Sequence, residues 1–126
     1  MKSFKIPMVI LIAMILLALL NGAVVEKQCR TWQQQTDVMT AHAQNGRWEE
    51  AETAFADLQE SWQRWSDYLH VIMVHDEPEV VDTKLKECRV LLTQHDRDTL
   101  SLCAAQLNCQ FDHLGELQSL SLSNLL

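Results

Sequence analysis

Glycine and proline are scarce in this chain, 3 and 2 among 126 residues. So few breakers leave little room for sharp turns, and helices are favoured before any pattern is read. The chain also lacks a glycine-rich phosphate loop, a Ser or Cys beside a plausible base on a rigid turn, and paired carboxylates in an expected cleft. The expectation is therefore a protein that is not an enzyme and carries no cofactor. Basic residues are few as well. From Glu26 onward, 8 Lys and Arg stand against 17 Asp and Glu, a net charge of −9. Such a surface repels phosphate backbones, which excludes nucleic acid as a partner.

What is abundant is apolar and unevenly placed. From Ile6 to Val25 the only strongly polar side chain is Asn21. At about 1.5 Å per residue, twenty residues span roughly 30 Å, the thickness of a bilayer's hydrocarbon core, so a single membrane span is expected. A cleavable leader is the competitor. Its apolar core is usually about 7 to 15 residues, shorter than this run, and Asn21-Gly22-Ala23 sets Asn where a small residue is wanted. A lipid-attachment site at Cys29 is disfavoured by Glu26-Lys27-Gln28 before it. Lys2 and Lys5 lie in a tail that need not cross, so the N-terminus is expected in the cytoplasm and the rest outside.

The strongest periodicity runs through Trp48, Ala51, Phe55, Leu58, Trp62, Trp65, Leu69 and Ile72, at spacings 3, 4, 3, 4, 3, 4, 3. An amphipathic helix over 47–75 follows, broken within Asp76-Glu77-Pro78 because proline cannot continue it. A third helix is expected from Pro78 to about His95, with Val81, Leu85, Cys88 and Leu92 inward. A fourth, capped by Asp98, carries Leu100, Cys103 or Ala104, Leu107, Phe111 and Leu114 and fades near Gly115. An antiparallel turn at Asn45-Gly46 would set Trp65 opposite Glu26 and drive later residues into lipid, so the first helix is expected to lean away as a stalk. Leu120 and Leu122 alternate with serines, an extended pattern expected to lie along a groove of the bundle.

The expected fold is thus all-α: a transmembrane helix, then an antiparallel bundle of three to four helices with an extended C-terminal tail. The divisions are 1–25 for the tail and anchor, 26–46 for the stalk, 47–117 for the bundle and 118–126 for the tail.

Candidate sites are weighed against plainer roles. His75, Glu77, Glu79 and Asp82 cluster at one turn, with His70 upstream, and imidazole and carboxylate are zinc ligands. His42, His75, His95 and His113, however, each fall near an expected helix end, where imidazole serves the dipole and free carbonyls, and Pro78 breaks the ligand spacing. No metal is expected; His75, Glu77 and Pro78 read as a structural turn. Trp48, Trp62 and Trp65 fit core packing, yet so broad a seam leaves aromatic surface uncovered, and together with Leu120 and Leu122 they form the candidate partner-binding set. With the third turn placed at Arg97, Cys88 faces Gln106 rather than Cys103 or Cys109, so free thiols are expected. Cys29, near the membrane, is expected to pair only between chains.

Trp48 with Ala51, Trp62 with Trp65, His75-Asp76-Glu77, Asp82 and the ending Leu122-Ser123-Asn124-Leu125-Leu126 resemble the domain-of-unknown-function family 4363 of short membrane-anchored bacterial proteins. The resemblance covers most of the chain beyond the apolar run. Pro78 stands where the family has an aliphatic residue, and four cysteines exceed its pattern. The resemblance implies an N-terminal anchor, a helical external domain, a setting in Gram-positive, often spore-forming bacteria, and no assigned activity. The functional expectation is an extracytoplasmic interaction module, an accessory or assembly subunit for a membrane or envelope protein. The alternative is a small-ligand or metal-binding sensor that acts through a partner.

Overall fold

The computed structural model of the chain describes residues 2–73 and 76–125, with side chains over 3–73 and 76–119. The described residues form four helices, α1 (Lys2–Gln44), α2 (Trp48–Ile72), α3 (Asp76–Gln94) and α4 (Arg97–Leu125). They form an up-down-up-down ring in which α1 packs on α2 and α4, and α3 closes the square against α4 and, over a shorter stretch, α2. The lower part of α1 is long and apolar enough to cross a membrane, with Phe4 through Leu20 presenting apolar side chains outward on every side. Such all-round exposure of apolar groups suits lipid rather than water.

The seam expected on α2 is inside: Ala51, Phe55, Leu58, Trp62 and Leu69 are buried, while Trp48, Trp65 and Ile72 pack at its edge. Val81, Leu85, Cys88 and Leu92 of α3 and Leu100, Cys103, Ala104, Leu107, Phe111 and Leu114 of α4 complete it.

The expected stalk is different. Residues 26–46 do not lean away. Gly22, Val25, Cys29, Trp32, Thr36, Met39 and Ala43 are all buried, on one face of α1 at spacings of three and four. Trp32 is the centre of the molecule. Its ring lies 5.0 Å from Trp62 and 5.4 Å from Phe111, and its Nε1 donates to Ser61 Oγ at 2.9 Å. A buried indole needs that acceptor, since an unpaired N–H in the interior costs about 1–3 kcal/mol. Cys29 packs at the α1–α4 contact near Gly115, where burial pushes its thiol up to about 12. In the closed bundle Cys29 is a free thiol, 2% exposed.

Two turns share one construction. At the end of α1, Gly46 N donates to Ala43 O and Arg47 N to His42 O. At the end of α3, His95 N donates to Leu92 O and Asp96 N to Leu91 O. Both are Schellman closures, which require a left-handed residue after the cap. Gly46, at φ 74°, adopts it freely; His95, at φ 54°, does so at some strain. Its ring compensates by stacking on Trp48, 4.5 Å apart at an interplanar angle of 1°. Asp96 then caps α4 through Oδ1, which accepts from Thr99 N at 3.2 Å. The cap is thus Asp96 and not Asp98, and the turn falls two residues earlier than expected.

Other boundaries move as well. α2 stops at Ile72 and α3 opens at Asp76, so the break precedes Asp76-Glu77-Pro78 instead of falling within it. Asp76, Glu77 and Glu79 in α3's first turn suit the positive end of the helix dipole, and proline is tolerated there. α4 neither fades near Gly115 nor gives way to an extended tail: its backbone is helical to Leu125.

Candidate functional site

At the end of the bundle nearest the apolar run, α1 and α2 diverge enough to leave a groove of about 640 Å³ lined by Leu17, Leu20, Asn21, Val24, Arg64, Trp65 and Tyr68. The α1 residues stand at spacings of three, one and three, which places them on one helix face, and Arg64, Trp65 and Tyr68 form the facing stripe on α2. Leu17, Leu20, Val24 and Tyr68 are 65%, 62%, 43% and 40% exposed. Water is a poor neighbour for so much apolar surface.

The walls are fixed by aromatic and polar contacts. The Trp65 ring lies edge-on to Trp32 at 6.3 Å and to Tyr68 at 5.9 Å. Tyr68 donates its hydroxyl to Asn21 Oδ1, which gives the one strongly polar side chain of the apolar run a partner. Arg64 is exposed at the rim, and none of the ion pairs among the described residues involves it. Trp65 and Tyr68 have the amphipathic rings that settle at the headgroup level of a bilayer.

The candidate residues from sequence are dispersed by the fold. Trp62 is 1% exposed, and its Nε1 donates to Asp82 Oδ1 at 2.7 Å; in the closed bundle it offers no surface. Trp48 is half-buried at the far end, against His95. Among the described candidates, only Trp65 opens into the groove. The side chains of Leu120 and Leu122 lie outside the described residues, as does His75. Glu77 accepts from Gln110 Nε2 at 2.8 Å through Oε2, and Pro78 is buried in the first turn of α3.

Two histidine–carboxylate pairs flank α3. His70 Nε2 stands 3.6 Å from Asp82 Oδ2, and His113 Nε2 stands 3.3 Å from Glu77 Oε2. Among the described residues, no group of three potential ligands surrounds either pair. His113 was expected near a helix end, but α4 runs on past it, and Glu77 supplies its partner instead. Sequence reasoning missed Leu17, Leu20, Val24, Arg64 and Tyr68, because their importance comes from two helices staying together where divergence was expected.

The family model described as "Domain of unknown function (DUF4363)" matches residues 20–125. The matched region begins at the groove and includes the whole buried face of α1 above it. No curated protein and no solved structure matches the chain.

Proposed function

The chain belongs to the DUF4363 family, a domain of unknown function, and we propose that it acts by binding, as an accessory or assembly subunit of a membrane protein complex. A single span with its N-terminus in the cytoplasm holds the bundle against the outer face of the membrane. The groove at the foot of the bundle receives a transmembrane helix of the partner.

One observation carries this reading: the groove's first wall, Leu17 and Leu20, belongs to the apolar run itself, while its second wall belongs to the bundle. An occupant must therefore be apolar below and polar above. In the hydrocarbon layer it must also satisfy its own backbone, which a helix does. Arg64 at the rim, in no ion pair among the described residues, presents donors in a fork that fits a carboxylate. The partner helix is thus expected to carry an acidic residue where it leaves the membrane. Lys2 and Lys5 before the run support the inward N-terminus.

The test is a photo-crosslinking residue placed in intact cells at Leu20, Val24 or Arg64, with Thr53 and Lys86 as controls on other faces. The expected outcome is one membrane protein, joined through a peptide of its transmembrane segment, from the groove positions alone. Adducts of equal strength at the controls, or only lipid or a second copy of this chain at the groove, would refute the reading.

A further inference from the structure

The earlier turn at His95-Asp96 changes which cysteines meet. With Asp96 capping α4, Lys84 Nζ donates to Gln106 Oε1 at 2.7 Å, and one turn along Cys88 Sγ stands 3.3 Å from Cys103 Sγ. Both thiols are in the core, 0% and 3% exposed. Cys88 lies midway along α3 and Cys103 in the second turn of α4, on adjacent antiparallel helices. The two sulfurs stand little more than an ångström beyond the roughly 2.05 Å of a disulfide.

We propose that Cys88 and Cys103 form an intramolecular disulfide that fastens α3 to α4. The inference rests on the extracytoplasmic placement of the bundle given above, because structural disulfides persist outside the cytoplasm. Cys29 and Cys109 are excluded from it: the first is buried against α4 and the second is exposed on the surface.

The bond forms by exchange with a disulfide-bearing oxidant, protein or small molecule. Cys103 attacks first: its contact with Cys88 Sγ holds its thiol below the usual range and Lys84 adds to this, against burial and the Glu87 carboxylate, which raise it. Its sulfur breaks the oxidant's S–S bond, forming a mixed disulfide and releasing one thiolate. Cys88, whose proton is then lost to solvent, attacks Cys103 Sγ and expels the second thiolate. Two protons leave, two electrons pass to the oxidant, and one S–S bond replaces another. Burial requires that this happen as the α3–α4 hairpin closes or during a local opening of it. The consequence falls on α3, which meets α2 over only a short stretch and whose Asp82 holds the Trp62 indole.

The full chain, purified reduced in micelles and exposed to oxidised glutathione, is acid-quenched, denatured and treated with a maleimide polymer that adds mass for every free thiol. Two of the four thiols should be lost, with Cys88 and Cys103 recovered in one linked species. A Cys109→Ser chain should lose the same two, leaving one. Cys88→Ser should abolish the linkage. Retention of all four thiols, or modification confined to Cys29 and Cys109, would overturn the proposal. The same labelling of acid-trapped whole cells addresses the compartment. A linked pair there supports both statements. A pair that links in micelles but is reduced in cells overturns the disulfide as a native bond, because the extracytoplasmic placement has failed and not the geometry.

Discussion

A fragment of residues 44–126, holding all of α2, α3 and α4, is expected not to fold. It lacks Val25, Cys29, Trp32, Thr36, Met39 and Ala43, which fill the centre of the ring and against which both α2 and α4 make their most extensive contacts. Burial of each large apolar side chain contributes about 1.5–3 kcal/mol, whereas a domain of this size has only about 5–15 kcal/mol in total. Loss of one wall also exposes Leu58, Trp62, Phe111 and Leu114 to water. A fragment of residues 22–126 keeps that wall and should give a helical, cooperatively melting protein. Circular dichroism during heating compares them. A sharp transition in the shorter fragment would return 26–46 to the role of a stalk.

The second large effect belongs to Trp32 alone. Trp32→Ala should destabilise the bundle by about 3–5 kcal/mol, the range for truncating a large buried aromatic residue. Three losses combine in it: the ring contacts with Trp62 and Phe111, the hydrogen bond to Ser61, and a cavity bounded by three helices. Ser61 keeps Gln28 Nε2 as a donor at 3.2 Å, so the penalty comes mainly from packing. Trp32→Phe, which keeps most of the ring volume, should lose clearly less. Urea unfolding measures both, and a Trp32→Ala chain with the midpoint of the unsubstituted protein would place that indole outside the core.

How much of this the sequence revealed depends on how cleanly each helix displays its period. The seam of α2 is legible because glutamates and glutamines flank bulky apolar residues, and every inward position named on α3 and α4 is buried. The face of α1 has the same spacing, but it includes Cys29 and Thr36 and adjoins Gln33-Gln34-Gln35, so it reads as polar. Thr36 is tolerated inside because its Oγ1 donates to Trp32 O at 2.8 Å. The α3–α4 turn was ambiguous for a different reason: Asp96 and Asp98 are equally good caps locally. What decides between them is the closure at His95, held by a Trp48 ring from another helix. That two-residue difference is what separates Cys88 facing Gln106 from Cys88 facing Cys103. The tail misled through its leucine–serine alternation, since helical propensity differs little between the two periods when serines are the spacers. The groove was illegible in principle, because it exists only where α1 and α2 run together past Glu26. There the two helices are joined by the hydrogen bond from Tyr68 to Asn21.

The proposed partner helix occupies the groove at the foot of the bundle, and Trp65 opens into that groove while remaining outside the fully buried core. The decisive measurement is the mass of particles extracted from native membranes into lipid nanodiscs, for the unsubstituted chain and for Trp65→Glu. The unsubstituted chain should be recovered with one membrane protein in fixed stoichiometry. The Trp65→Glu chain should remain folded and membrane-bound but be recovered alone, since a carboxylate in the groove repels an apolar helix. An unsubstituted chain recovered alone, or a Trp65→Glu chain that keeps the same partner at the same ratio, would contradict the account.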